Sequence, residues 1–169
     1  FSATYPLIKA ISPETKVSVS FQFDLMKREG ILESNFEEAG PVQAFGPLLD
    51  VIGLSLYPCL TYARPIDVPV SYLNSVLATS QPLAVFETGW PSQLGDTNHQ
   101  TTYLQWLEQH EFSDRLELLV WASTTDTAVY ISPPEGPACP AEVNTWLGGL
   151  GLWTMEAEPK PAGHTWQAM

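Results

Sequence analysis

A single carboxylate beside a large aromatic residue is the feature of this sequence best suited to chemistry. Residues 82–92 read PLAVFETGWPS, in which an apolar run ends at Glu87 and is followed by Thr88, Gly89 and Trp90. The run has the length and composition of a buried strand, and the glycine and the following proline turn the chain directly after it. The pattern therefore predicts an acid presented at the end of a strand, a common position for an active-site carboxylate.

The residues around Glu87 strengthen this interpretation. Four apolar residues precede it, which leaves the carboxylate partly desolvated, and few cations lie nearby in the sequence to explain it as an ion-pair partner. Helix capping and pairing with a base are the other roles open to an acid at a strand end. We therefore treat Glu87 as the candidate catalytic residue.

Strand-like segments recur along the chain at nearly constant spacing. They begin at about Val17, Val51, Leu83 and Leu116, so the intervals are 34, 32 and 33 residues. Helical patterns lie in the intervals, at about 42–49 (a weak one), 71–78 and 98–109, and the last places Tyr103, Leu104 and Leu107 on its inward face. The four units share no recurring consensus sequence, which argues against a solenoid. An eight-stranded (β/α) barrel averages roughly 31 residues per unit. The spacing therefore predicts an α/β chain of four βα units.

The residues after Trp121 contain no further apolar run of strand length. They read as a long loop, a helix over about 141–147, a glycine-rich turn and a last helix over about 161–166. We therefore expect residues 1–169 to form a single partial domain, the C-terminal half (strands 5–8) of a TIM (β/α)8 barrel. The first four units are expected to be absent from this sequence.

The carboxyl ends of the strands line the active site in a (β/α) barrel. Aromatic faces stack on the C–H faces of a pyranose ring, and polar side chains read its hydroxyl groups. Core packing is the alternative role for Tyr57 and Trp121, and loop bracing is the alternative for the two aspartates. Besides Glu87, the strand ends nominate as substrate-binding residues Gln22, Asp24, Tyr57, Trp90, Trp121 and Asp126.

The composition restricts the class of partner. Seven basic residues against nineteen acidic ones give a formal net charge of −12. This charge repels phosphate backbones and anionic lipid surfaces, so nucleic acid and membranes are not expected as partners. A neutral polysaccharide or oligosaccharide is not repelled, and it is the partner that we expect.

No pattern in the sequence indicates a metal or a cofactor. Cys59 and Cys139 belong to no CxxC motif, the three histidines share no ligand spacing, and no phosphate-binding glycine loop occurs. We therefore predict neither a metal nor a cofactor. The two cysteines permit one disulfide, and two buried thiols are the alternative.

Two segments resemble those of a large clan of retaining glycoside hydrolases with (β/α) barrels. AVFETGWPS at 84–92 is similar to the seventh-strand motif of the clan, and plant-type endo-1,3-β-glucanases carry a near-identical ETGWPS. DVIGLSLYP at 50–58 resembles the sixth strand of the endo-β-1,4-galactanase family. The resemblance implies that Glu87 is the nucleophile, that Tyr57 hydrogen bonds to it, and that Trp121 is the clan's eighth-strand tryptophan.

The resemblance also implies a residue that this sequence lacks. Retaining hydrolysis requires a second carboxylic acid about 5 to 5.5 Å from the nucleophile. In the clan this acid/base glutamate follows an asparagine at the end of strand four, and no Asn-Glu pair occurs in the 169 residues. We therefore expect the acid/base to be missing from this chain, which alone is expected to be inactive.

The sequence thus supports one leading hypothesis and two alternatives. The leading hypothesis is the C-terminal half of a secreted, extracellular retaining endo-β-glycosidase, its signal peptide outside this chain, acting on a plant or microbial polysaccharide such as galactan or β-glucan. One alternative is a non-catalytic carbohydrate-binding half-barrel. The other is a half-barrel module that self-associates or pairs with a missing N-terminal half, because parallel strands at an uncovered sheet edge invite pairing.

Overall fold

A computed structural model describes residues 1–28, 45, 48–77, 79–92, 98–109, 113–127 and 148–169. Short 3-10 segments cover Pro58–Leu60, Pro65–Asp67, Val70–Leu73 and Ser113–Arg115. The α-helices are α1 (Thr4–Ile11), α2 (Phe23–Arg28), α3 (Asn74–Leu77), α4 (His99–Gln109) and α5 (Pro161–Ala168). The strands are β1 (Ser18–Gln22), β2 (Val51–Leu56), β3 (Leu83–Thr88) and β4 (Leu116–Trp121).

The four strands form one parallel sheet in the order β1-β2-β3-β4. In the pairing of β1 with β2, Ser18 lies opposite Val51 and Gln22 lies opposite Ser55. All four predicted strand starts are confirmed to within one residue. The arrangement is consistent with part of a TIM-type barrel, and the assignment to its C-terminal half stays a prediction.

The chain divides into two compact units. The first contains Phe1–Leu56, Val70–Glu87 and Glu111–Val120, and the second contains Tyr57–Pro69, Thr88–His110 and Trp121–Met169. The chain passes from the first unit to the second after Leu56, Glu87 and Val120, which lie at or next to the carboxyl ends of β2, β3 and β4. The prediction of a single domain over 1–169 stays a prediction.

The core of the first unit is built around β2. All six of its residues, Val51–Leu56, are buried, as expected for the continuous apolar run of a strand inside a parallel sheet. Leu83, Ala84 and Val85 of β3 are also buried. Three apolar side chains of the sheet are nevertheless partly exposed, namely Phe86 at 37%, Leu118 at 44% and Val120 at 38%. Part of the sheet surface in this unit is therefore uncovered.

Asp50 connects α1 to the sheet of the first unit. Its carboxylate accepts hydrogen bonds from the Val17 amide at 2.8 Å and the Tyr5 hydroxyl at 3.1 Å, and the Lys9 ammonium lies 2.8 Å away. Burial raises the pKa of Asp50, but the hydrogen bonds from Lys9, Val17 and Tyr5 together hold it below its ordinary value. The folded state therefore favours the ionised carboxylate.

The end of β1 differs from the sequence prediction. The alternation in residues 16–23 predicted a strand through Phe23, whereas the structure ends β1 at Gln22 and begins α2 at Phe23. Phe23 and Met26 are both buried, and a spacing of three residues places them on one face of a helix. The helical burial of this pair outweighs the short alternating pattern.

The core of the second unit is aromatic. The Tyr103 ring lies 5.4 Å from Trp90, 5.8 Å from Trp106 and 6.2 Å from Trp121, measured between ring centroids. Trp166 of α5 lies 6.2 Å from Trp121. Tyr103, Leu104 and Leu107 of α4 are buried, which confirms the inward face predicted for this helix.

Several expectations concern residues outside the described ranges. The predicted helix at 141–147, most of the weak helix expected over 42–49, and Cys139 lie there. Cys59 is buried, and its sulfur lies 4.0 Å from the Gly89 carbonyl oxygen, so its pairing with Cys139 stays open. In the described part of the chain, no helix has the length and apolarity needed to cross a bilayer. The same part contains no group of three or more His, Cys, Asp or Glu residues arranged to hold a metal ion.

Candidate active site

Glu87 lies at the carboxyl end of β3 in the first unit. Leu83, Ala84 and Val85 anchor the strand in the core, while Glu87 itself is exposed. The partial desolvation expected from the preceding apolar run is therefore wrong, because Phe86, the last residue of that run, is itself 37% exposed. None of the ion pairs in the described residues includes it. The carboxylate is therefore accessible to a ligand and is not neutralised by a neighbouring cation within the described residues.

Ser55 fixes one oxygen of this carboxylate. Its hydroxyl donates a hydrogen bond to Glu87 Oε2 at 2.9 Å. Ser55 is buried, with 5% of its surface exposed, on the central strand β2. Ser55 is not among the residues nominated from the sequence. A signal was present, because Ser55 is the one polar side chain in the apolar run VIGLSL of residues 51–56.

Gln22 lies on the same face of the sheet as Ser55. The two residues are paired in register between β1 and β2, and paired residues of adjacent strands point to the same face. Gln22 is half-buried and makes no hydrogen bond through its side chain within the described part of the chain. Its position agrees with the predicted placement at a strand end, and its binding role stays a prediction.

Asp24, nominated from the same strand end, lies instead in the first turn of α2. It is 2% exposed and accepts a hydrogen bond from the Tyr72 hydroxyl. The Lys27 ammonium lies 4.0 Å from the Tyr72 ring centroid and donates to the Tyr72 carbonyl at 2.8 Å. Burial lowers the pKa of Lys27, while the charge of Asp24 raises it. These contacts favour the bracing alternative for Asp24.

The other four nominated residues belong to the second unit. Tyr57 is buried, and Trp90 is fully buried and packs against Tyr103 and His99. The structure therefore gives Trp90 a packing role. Sugar stacking by Trp90, and the hydrogen bond from Tyr57 to Glu87 that the resemblance implied, stay predictions.

Trp121 is also held in place by the second unit. Its indole N–H donates to the Leu150 carbonyl at 2.6 Å, and 8% of the residue is exposed. Rings of Tyr103 and Trp166 contact it. Core packing, the alternative considered for Trp121, is what these contacts describe.

Asp126 takes part in an ion pair that lies largely inside the second unit. Its Oδ1 lies 2.7 Å from the Lys160 ammonium and accepts a hydrogen bond from the Gly151 amide at 3.0 Å. The side chains of Lys160 and Asp126 are 10% and 17% exposed. Lys160 also donates to the Ser92 hydroxyl at 3.0 Å. The carboxylate thus ties three segments together, and a substrate contact of Asp126 stays a prediction.

Gln100 organises the loop that carries Leu150. Its amide nitrogen lies 2.9 Å from the Trp90 carbonyl oxygen and between 3.1 and 3.4 Å from the carbonyl oxygens of residues 149, 150 and 151. The residue is fully buried on α4. Sequence reasoning missed it, because a glutamine inside a helix carries no local signal of burial.

The geometry separates two kinds of strand-end residue. In the first unit an accessible carboxylate, held through one oxygen, is able to act as a nucleophile or a base. In the second unit Tyr57, Trp90 and Trp121 are buried, and Asp126 forms an ion pair with Lys160. The part of the candidate site available for chemistry is therefore Glu87 with Ser55 and Gln22.

Known proteins resemble this chain in structure but not in sequence. No protein-family model matches the chain, and no curated protein matches it at a significant level. Among solved structures, the β-glucuronidase of Ruminococcus gnavus is 16% identical with a TM-score of 0.61. The aligned region covers 99% of this chain and 28% of the β-glucuronidase chain. A family 2 β-galacturonidase from Eisenbergiella tayi, bound to galacturonate, is 18% identical with a TM-score of 0.58, covering 97% of this chain and 28% of its own.

A third neighbour is an active-site mutant of the Rhizomucor miehei β-1,3-glucanosyltransferase in complex with laminaritriose. It is 16% identical with a TM-score of 0.56, covering 95% of this chain and 55% of its own. The chain therefore spans about a quarter to about half the length of these neighbours. The chain shares its fold with part of each of these three structures.

Proposed function

We propose that this chain supplies the nucleophile of a retaining β-glycosidase site, and that Glu87 is that nucleophile. The observation that carries the proposal is the exposed Glu87 carboxylate at the end of β3, held by Ser55 at 2.9 Å. The fold, similar to part of several glycoside hydrolases, supports it. In the proposed reaction the carboxylate attacks the anomeric carbon, the bond to the leaving oxygen breaks, and a covalent glycosyl ester forms.

The leaving oxygen needs a proton from a second carboxylic acid, and the described aspartates nearest in sequence to the strand ends have other contacts. Asp24 accepts from Tyr72, and Asp126 pairs with Lys160. A group held in these contacts is poorly placed to donate a proton to a substrate. We therefore assign the acid to neither aspartate. The lack of an Asn-Glu pair in the 169 residues favours an acid supplied from outside this sequence.

The cations of the chain favour a neutral glycan as the substrate. Six of the seven Lys and Arg side chains are described, and every one contacts a group of its own unit; they are Lys9, Lys16, Lys27, Arg64, Arg115 and Lys160. A uronic acid is bound most strongly where a cation is available to its carboxylate. A neutral β-glucan or galactan makes no such demand, so we propose it as the substrate class.

Covalent labelling tests the nucleophile without the missing acid. A 2-deoxy-2-fluoro-β-glycosyl fluoride has a leaving group that needs no protonation, so an activated sugar of this kind traps the glycosyl ester. We expect the glucosyl or galactosyl reagent to modify the 169-residue chain once, on the peptide that contains Glu87. The matching glucuronyl reagent is expected to label far more slowly. Intact-protein and peptide mass spectrometry measure both results.

Two variants serve as the matched pair for this experiment. Glu87→Gln removes the nucleophile and is expected to abolish the adduct. Glu117→Gln changes another exposed glutamate of the sheet and is expected to leave labelling unchanged. An adduct that persists in Glu87→Gln, or a folded wild-type chain that no neutral reagent labels, contradicts the proposal. Oligosaccharide binding without an adduct favours a non-catalytic carbohydrate-binding role.

A second candidate role, association with a complementary segment or another copy, has its own supporting observation. Phe86, Leu118 and Val120 are each between a third and a half exposed, although they are apolar residues of the sheet. Among the described strands, β1 and β4 are the outer ones, and outer strands carry backbone groups able to pair further. Light scattering tests self-association. A concentration-dependent dimer supports it, and a monomer at all concentrations rules it out.

A further inference from the structure

We propose that Ser55 is the residue that positions the Glu87 carboxylate, holding Oε2 and leaving Oε1 as the oxygen that attacks the sugar. This inference rests on the proposed function, since it assigns a role within the same site. Ser55 acts through Glu87 and is therefore a positioning residue, not a catalytic one.

Glu87 needs a restraint from outside its own side chain. A glutamate side chain has three rotatable bonds, and fixing the whole side chain costs up to about 2 kcal/mol of rotamer entropy. Glu87 is exposed, so packing by its own neighbours does not fix its carboxylate. A nucleophile contributes fully only when its attacking atom is held close to the productive geometry.

Ser55 is held rigidly enough to supply this restraint. It lies in β2, the strand whose six residues are all buried, and its backbone is paired in register with Gln22 of β1. A serine side chain has one carbon before its hydroxyl, so the position of the donor is set almost entirely by the strand. The hydroxyl has a single proton, and the bond to Glu87 Oε2 uses it.

The hydrogen bond from Ser55 determines which oxygen of the Glu87 carboxylate remains reactive. A hydrogen bond to Oε2 withdraws electron density from that oxygen and fixes the plane of the carboxylate. Oε1 has no hydrogen-bond donor among the described residues, so its lone pairs are available to form the glycosyl ester. The two oxygens of Glu87 are thus distinguished by Ser55.

The test compares three serine variants by the rate of covalent labelling with the neutral 2-fluoro reagent. Ser55→Ala is expected to lower the first-order labelling constant about 30-fold while the reagent's dissociation constant changes less than twofold. Ser55→Thr keeps the hydroxyl and is expected to restore labelling to within about threefold of wild type. The control is Ser20→Ala, because Ser20 is an exposed serine of β1, paired with Gly53. This variant is expected to label at the wild-type rate.

A spectroscopic measurement reads the hydrogen bond without any reaction. The 13Cδ resonance of Glu87, assigned by its disappearance in Glu87→Gln, is expected to shift in Ser55→Ala and to stay in place in Ser20→Ala. Equal labelling constants for wild type and Ser55→Ala, or an unmoved resonance, would overturn the role of Ser55. Failure of the proposed function has a different signature, since it appears as absent labelling in every chain, including wild type.

Discussion

Glu87 of the first unit and the nominated strand-end residues of the second unit have opposite environments. In the first unit, Glu87 is exposed and contacts Ser55 through one oxygen, and part of the sheet surface is uncovered. In the second unit, Trp90 and Trp121 are buried, and Asp126 is paired with Lys160. The difference teaches that position at a strand end does not by itself make a residue functional. Accessibility separates the candidate nucleophile from the residues that stabilise the fold.

This comparison is measurable because the spectroscopic probes are unevenly distributed. All six tryptophans fall in the residue ranges of the second unit. Tryptophan fluorescence therefore reports on the second unit, and amide hydrogen exchange reports on both. We expect substitutions of paired groups in the second unit to cost more stability than substitutions on the uncovered surface of the first.

The largest effect is expected from the ion pair of the second unit. Lys160→Met leaves the Asp126 carboxylate charged and largely buried, which is expected to cost about 4 kcal/mol of unfolding free energy. The matched control is Lys16→Met in the first unit, where Lys16 and Glu117 are 57% and 35% exposed and the expected cost is under about 1 kcal/mol. Urea denaturation followed by fluorescence and hydrogen exchange measures the pair. Equal costs would contradict the expectation that burial makes the second-unit ion pair more costly to break.

Gln100 is expected to have the next largest effect. Gln100→Leu removes an amide that donates to the backbone carbonyls of Trp90 and Gly151, and we expect a loss of about 2 kcal/mol because buried carbonyls lose their donor. Gln105→Leu, an exposed position on the same helix, is expected to change stability by less than about 0.5 kcal/mol. Similar urea midpoints for the two variants would contradict the bracing role of Gln100.

A pH dependence is expected in the first unit from Asp50. Its pKa is lowered in the folded state, so its contribution is fully present above the unfolded-state pKa of about 3.9 and is lost as the pH falls through the folded-state value. Asp50→Asn is expected to cost about 1.5 kcal/mol at pH 7, the range for hydrogen bonds to charged groups. The difference should shrink below about pH 4. A cost that stays constant down to pH 2, measured by urea denaturation with circular dichroism, would refute the assignment.

The smallest effect is expected on the uncovered sheet surface. Val120→Thr replaces a partly exposed side chain by one of similar shape, and the expected change is within about 0.5 kcal/mol. Leu104→Ala in the second unit, where Leu104 is fully buried, is the contrast, with an expected cost of about 3 kcal/mol. A large cost for Val120→Thr would mean that this surface is covered in solution.

Much of the fold followed from the sequence because the apolar runs are strong signals. The continuous run of β2 and the spacing of the four strand starts predicted the sheet, and the inward residues of α4 followed from their helical spacing. The start of α2 was missed because residues 16–23 alternate as a strand does, whereas the burial of Phe23 with Met26 is a tertiary effect.

The candidate site was predictable only in part. Glu87 was identified by the abrupt end of its apolar run, which is a local feature. Ser55 was missed because its role depends on a hydrogen bond across 32 positions of the sequence, and no local pattern reports such a contact. Burial of Trp90 was also not visible locally, since a tryptophan after a strand has the same sequence signal whether it faces solvent or core.

Chemical rescue of Glu87→Ala tests the central claim most directly. The wild-type chain and the variant are incubated with a 2,4-dinitrophenyl β-glycoside of a neutral sugar, with and without sodium azide. The account predicts a burst of dinitrophenolate from wild type, none from the variant alone, and release from the variant restored by azide with an α-glycosyl azide as product in the NMR spectrum. A β-glycosyl azide, or dinitrophenolate release from the variant that does not depend on azide, would contradict Glu87 as the nucleophile.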